Sequence, residues 1–271
     1  MLRRTETRRD ALVPAACVAV LALVAIGAVL AQLLPQLDPL RADFQAPLRP
    51  PGPEHWFGTD ATGRDVFART LAGGASSIVV AAMTVAVGLV VGGGLGVLAG
   101  FARGWVDALI GTLLDVVLAL PGLITVMVVV TMVGPGRLTI GALIGLIMVP
   151  AFARIARSAT LTVRGQEFVQ AARIMGAPPL RIIGSEVVRC VLPAVAAYSF
   201  TAVTVAIVAE GSLSFLGFGL APPTASWGGL IAEGRTHIAT APWICLAPAA
   251  VLCATVLAVN VLGERWGRSR P

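Results

Sequence analysis

Residues 164–193, RGQEFVQAARIMGAPPLRIIGSEVVRCVLP, form a polar interruption between two long apolar segments. Phe168, Ala171, Ala172 and Met175 recur at i, i+3, i+4 and i+7, the spacing of one helical face, while Gln166, Glu167, Gln170 and Arg173 fall mainly elsewhere around the turn. Gly176 suits the left-handed residue that ends a helix, and Pro178-Pro179 blocks simple continuation. Proline is equally well placed to open a second helix, on which Leu180, Ile183 and Val187 share a face. The expectation is a bent pair of short amphipathic helices outside the membrane. A pair this short, with few intrachain partners, is stabilised by seating its apolar face in something else.

What flanks the interruption sets the class. Hydrophobic residues make up 57% of the chain and charged residues 13%, and the mean hydropathy is +0.88, beyond what a soluble core of this length needs. Six stretches are long enough, or nearly so, to cross a hydrocarbon layer of roughly 30 Å as helices: residues 11–33, 75–100, 108–133, 138–153, 190–209 and 242–262. The expected fold class is therefore an all-α polytopic membrane protein with six transmembrane helices. Its expected organisation is a tail at 1–10, a first span at 11–33, an extracytoplasmic segment at 34–74, a core at 75–262 and a tail at 263–271. The fourth stretch is the shortest, and Arg154 or Arg157 would have to snorkel toward the headgroups.

Arg3, Arg4, Arg8 and Arg9 precede the first apolar run, but that run is longer than a signal-peptide core and no small-x-small cleavage site follows before Pro35. With this end inside, fourteen arginines fall on the cytoplasmic side and six outside, which places both termini in the cytoplasm. The net charge of +6 follows from this topology; no aromatic stacking surface or nucleic-acid module accompanies it. Cys17, Cys190, Cys245 and Cys253 lie in or beside apolar segments without metal-ligand spacing, and His55 and His237 are isolated.

All twenty basic residues are arginine. Without lysine the chain holds no Walker A loop, whose lysine reaches the terminal phosphates of a bound nucleotide, and no lysine-based covalent chemistry. Neither Gly-x-Ser-x-Gly nor His-Glu-x-x-His occurs. In the second span Gly88, Gly92, Gly96 and Gly100 recur every four residues and form a side-chain-free groove, open to a tight helix contact within the chain or at a moving seam. Asp115 and Glu210 are the acids placed inside spans, either lining a substrate pathway or, in the plainer reading, bonding to neighbouring helices or reaching outer water. Pro121 predicts a kink in the third span, while Pro150 and Asn260 are ambiguous.

Gln170, Ala171, Ala172 and Gly176 resemble the Glu-Ala-Ala, three residues, Gly motif of the inner-membrane permeases of ABC importers, with Gln in place of the usual Glu. Leu192-Pro193 resembles the motif's closing Leu-Pro, a few residues farther on. Further matches lie at Gly58-Thr59-Asp60 with Gly63-Arg64-Asp65-Val66, at residues 209–219 and 222–228, and at Ala241-Pro242-Trp243. They narrow the resemblance to the dipeptide, oligopeptide and nickel group and its C-type subunit. Capping of a short interfacial helix by Thr59 or Asp60 also explains those two residue types.

The resemblance implies that the 164–193 loop couples to ATPase subunits and that this chain forms half of a translocation pathway. It implies a homologous B-type permease, two ATPase subunits using ATP and Mg, and an extracytoplasmic substrate-binding protein as partners, within lipid. No cofactor is expected on this chain. Peptides are the expected cargo, with nickel or another small solute as the alternative. A self-contained secondary transporter is the competing class, and no internal repeat supports it. Residues 212–243 are expected to form a partly immersed gate or docking surface, or else a plain structured loop.

Overall fold

The structure, a computed structural model, describes residues 2–268. Helices carry the chain: α1 (Leu2–Leu33), α2 (Val66–Ala102), α3 (Gly104–Ala119), α4 (Gly122–Val133), α5 (Arg137–Arg164), α6 (Glu167–Ile174), α7 (Pro179–Phe215), α8 (Trp227–Gly234) and α9 (Trp243–Arg268). Five of them contain apolar runs long enough to cross a bilayer, and the bent pair α3–α4 brings the number to six when counted as one span. Two isolated bridges, Ala42 to Arg64 and Thr59 to Asp65, are the extended pairings among the described residues.

α5 is the spine. Gly88 faces Phe152, Gly92 faces Val149 and Phe152, Gly96 faces Ala153 and Ala156, and Gly100 faces Arg157 and Thr160. Gly141 and Gly145 of α5 return the contact against Met83 and Val87 of α2. Residue numbers rise together along this seam, so α2 and α5 run parallel. Phe152 is fully buried and meets Tyr198 of α7 edge to face at 4.9 Å, which binds the third long helix to the same centre. α6 projects from one end of this bundle. The 34–65 loop and α8 close the other.

Three expectations are corrected. The third span is broken by 81°, not merely kinked: Leu120 and Pro121 are both extended (ψ 134° and 110°), as expected where proline drives its predecessor out of the helical region. The fourth span is not short, because α5 continues for 28 residues through Arg154 and Arg157. Those arginines pair with Asp115 and Asp107. The bent pair contains one separate helix, not two. Pro179 opens a single helical run of 37 residues to Phe215, with a π-helical turn at Ile183–Val187.

Candidate functional site

α6 is held at both ends by its own backbone. Glu167 occupies its first turn, where a carboxylate suits the positive end of the helix dipole. At the other end Gly176 adopts φ +77°. Its amide donates to the Arg173 carbonyl at 3.0 Å and the Ala177 amide donates to the Ala172 carbonyl at 3.1 Å, the paired closure that a left-handed glycine permits. Val169 is fully buried in a cluster with Val97, Phe152, Ala156 and Ile182, so one side chain pins α6 to α2, α5 and α7.

The apolar face expected from spacing divides in two. Ala172 packs partly against the bundle, whereas Phe168, Ala171 and Met175 face outward. Ile174 and Leu180 extend this crest; Ile174, Met175 and Leu180 are 87%, 79% and 84% exposed. Gln170 donates through Nε2 to the Gly165 carbonyl at 3.1 Å. Val169 and Ile174 went unmarked at the sequence level, because the one apolar spacing counted there ran through Phe168 and Met175.

The embedded acids part company. Asp115 accepts from Arg154 at 3.0 Å with side chains 71% and 61% exposed, and Asp107 accepts both nitrogens of Arg157 at 2.6 and 2.7 Å. The two pairs line a groove of about 430 Å³ between α3, α5 and Gly96 of α2. Glu210 does not reach outer water. It is fully buried, accepting from Ser77 Oγ at 3.1 Å and Ser214 Oγ at 2.7 Å. Glu210→Gln keeps an acceptor that rotating hydroxyls can follow, so the thermal midpoint is expected to fall little. Glu210→Leu strands the Ser77 hydroxyl and leaves Ser214 with only a 3.4 Å contact to Ser226 Oγ, and is expected to cost about 1–3 kcal/mol in a denaturation series.

At the opposite end the Gly58–Val66 stretch builds a closed ionic knot. Asp60, almost wholly buried, pairs with Arg64 and with Arg69, and both arginines also meet Glu233. Neither Thr59 nor Asp60 caps a helix. Asp65 caps α2 by accepting from the Ala68 amide at 2.9 Å and also bonds His55 Nδ1 at 2.7 Å. Thr59 instead donates to the Ala46 carbonyl at 2.6 Å. Residues 212–243 fold onto this knot: Ser226 caps α8, Trp227 is fully buried, and a cavity of about 360 Å³ opens beside Arg64, Arg69, Ser226 and Glu233.

Burial alone pushes the Asp60 carboxyl up, but hydrogen bonds from the Arg64 amide and Thr62, together with the Arg69 charge, outweigh it and hold the group below its ordinary 3.8. The unfolded chain binds this proton more readily than the folded one. The knot's contribution is therefore complete above that ordinary value and lost as pH falls through the lower folded value. Protection factors of the amides in residues 34–65, corrected for the intrinsic pH dependence of exchange, are expected to hold from neutrality to about pH 4 and to fall below it.

Residues 92–268 match the family described as binding-protein-dependent transport system inner membrane component. The probable D,D-dipeptide transport system permease protein of Escherichia coli K12 is 34% identical over 227 residues, covering 84% of this chain and 76% of that protein. A glutathione transport system permease protein of Pectobacterium atrosepticum is 33% identical over 245 residues, covering 90% and 81%. Among solved structures, a methionine ABC transporter in inward-facing conformations superposes with a TM-score of 0.61 at 17% identity, over 74% of this chain and 95% of that one. That likeness concerns the fold. The sequence matches carry the assignment: this chain belongs to the binding-protein-dependent inner-membrane transport components, the permease subunits of ABC importers.

Proposed function

We propose that the chain is one permease subunit of an ATP-driven importer of short peptides, of the C type, working with a homologous B-type permease. Two ATPase subunits that bind ATP and Mg drive it, and a substrate-binding protein delivers cargo to the face formed by the 34–65 loop and α8. In this reading both termini and α6 face the cytoplasm. The peptide class rests on the dipeptide and glutathione permeases that the chain matches.

The observation that carries the reading is the α6 crest. Ile174, Met175 and Leu180 stand out from the end of a membrane bundle without intrachain cover, while Val169 on the same helix is locked into the core shared by α2, α5 and α7. A partner that seats the crest and moves it therefore pulls on three long helices through one buried side chain. Helix-in-groove docking supplies the contact, and the fixed cap at Gly176 keeps α6 from yielding in place of the bundle.

The groove along α3 and α5 fits a water-facing pathway wall. Charges placed in hydrocarbon cost about 2.5–3.5 kcal/mol each on insertion scales, so the exposed pair Asp115–Arg154 needs water or a protein neighbour beside it. Asp115→Asn keeps the shape and removes the charge. Stability is expected to change by less than about 1 kcal/mol, as for an exposed pair, with slower uptake; unchanged uptake would take the charge out of the pathway.

The whole reading is tested by placing the chain in vesicles with candidate B-type, ATPase and binding-protein subunits and following a labelled dipeptide. Uptake is expected to require ATP and every subunit. Uptake by this chain alone, without ATP, would overturn the proposal.

A further inference from the structure

Two arginines from two helices lie against one ring at the α6 end of the bundle, and a third stands near them. The Arg164 guanidinium lies 5.8 Å and that of Arg173 5.0 Å from the centroid of Phe101. Arg103 is close enough that its like charge, with that of Arg173, bears on Arg164, and its charge also reaches Asp107, which is itself paired with Arg157. Among the described residues no carboxylate stands within ion-pair distance of any of the three. Gln170 on the same helix brings no charge, and its amide is already engaged with the Gly165 carbonyl. Arg164 Nη1 is buried with no hydrogen-bond partner.

An unpaired donor of this kind is costly when it stays unmet, and like charges repel. Phe101 relieves part of the repulsion, since a guanidinium over an aromatic face is attracted to it, but a ring accepts no conventional hydrogen bond. What completes the cluster is an anion with several acceptor oxygens. Guanidinium forks match phosphate in both charge and geometry.

Position selects the source of that phosphate. Phe101 and Arg103 stand at the end of α2, and Arg164 is the last residue of α5, so the cluster marks the end of two membrane-length helices. In the proposed orientation this end of the bundle faces the cytoplasmic leaflet, and basic pockets between spanning helices on that side take anionic headgroups. Arg173 lies one turn beyond Val169 and, though exposed, turns its guanidinium toward Phe101 of α2. It is not part of the exposed crest of Ile174 and Met175, so the surface offered to a protein partner is a different one.

We infer that Arg103, Arg164 and Arg173 form a binding site for the phosphodiester of an anionic phospholipid, which fastens the base of α6 to the membrane surface. The site holds lipid whether or not the α6 crest docks an ATPase, so the two readings fail separately.

The test uses the full chain purified in detergent, exchanged with equimolar phosphatidylglycerol and phosphatidylcholine, and weighed with its retained lipid by native mass spectrometry. Phosphatidylglycerol is expected to be retained at least about fivefold over phosphatidylcholine, a preference that the double variant Arg164→Gln, Arg173→Gln removes with helix content unchanged. Arg235→Gln, at the other end of the bundle, is expected to leave it intact. Should the double variant fail to fold, Arg103→Gln, at an exposed turn, carries the test with an expected loss of about twofold or more. Equal retention of the two lipids by the native chain, as a cluster made for a protein carboxylate would give, overturns the inference. So does undiminished preference in the folded variants, or complete displacement of the lipid by millimolar inorganic phosphate, which would identify a site for the free anion.

Discussion

Gly176→Val is expected to abolish coupled uptake, by tenfold or more, while the chain still inserts and keeps its helix content. The cause is confined to the backbone. A Cβ at this position meets nothing within 4 Å, but φ is +77°, a region that a β-branched residue occupies only at a cost of roughly 1–3 kcal/mol. Relaxing that strain means giving up the two amide-to-carbonyl bonds that close α6 at Arg173 and Ala172. Once the cap opens, the crest at Ile174 and Met175 loses its fixed direction relative to Val169. ATP hydrolysis by the assembled transporter then continues with uptake lost, measured as moles of peptide per mole of phosphate released. Asn tolerates the left-handed region better than other side chains, so Gly176→Asn is expected to retain most of the coupling. Equal loss in both variants would point to contact at the glycine surface in place of backbone conformation, and normal uptake by the valine variant would remove Gly176 from the coupling role.

The same segment shows which features the chain's sequence discloses. α6 was legible because it is set by local rules: an amphipathic spacing, a glycine where φ must be positive, and two prolines beyond it. The continuation of α7 through residues 179–189 was not, because hydropathy registers Arg181, Glu186 and Arg189 as a break while the backbone hydrogen bonds run on regardless of side-chain polarity. Pro121 marked the disturbed place in the third span, but proline is compatible with anything from a mild kink to an 81° break, and packing against α5 decides which. The partners of Asp115 and Asp107 lie 39 and 50 residues away, and Glu233 meets Arg69 across 164. No periodicity connects positions so distant; only the approach of the helices brings them together. Glu210 was visible as an acid in an apolar run, yet its enclosure depends on Ser77 from another helix.

The glycine spacing of α2 was legible in the same partial way, and it leads to the second large effect. Gly96→Ala is expected to destabilise the protein by about 1–3 kcal/mol, the range for overpacking a tight interior, and Gly96→Leu to leave little folded protein. A Cβ at Gly96 falls 2.2 Å from the Ala153 carbonyl oxygen and 2.9 Å from the Ala153 carbonyl carbon. These are backbone atoms, so no rotamer change makes room and the helices must separate. The contact is tight along the whole seam: a Cβ at Gly92 would fall 2.6 Å from the Val149 carbonyl oxygen and one at Gly141 2.8 Å from that of Val80, and Thr84 donates across it to the Gly141 carbonyl at 3.0 Å. Within lipid no hydrophobic gain offsets a widened gap; close packing itself is the attraction that is lost. Gly93→Ala is the control. Its Cβ meets nothing within 4 Å, and alanine is the better helix former by about 1 kcal/mol, so the thermal midpoint in detergent is expected to hold or rise. A fall at Gly93 as large as at Gly96 would mean that helix conformation, and not the α2–α5 contact, sets the requirement for glycine. The opposite outcomes at two positions three residues apart isolate the seam as the reason α2 carries glycine every fourth residue.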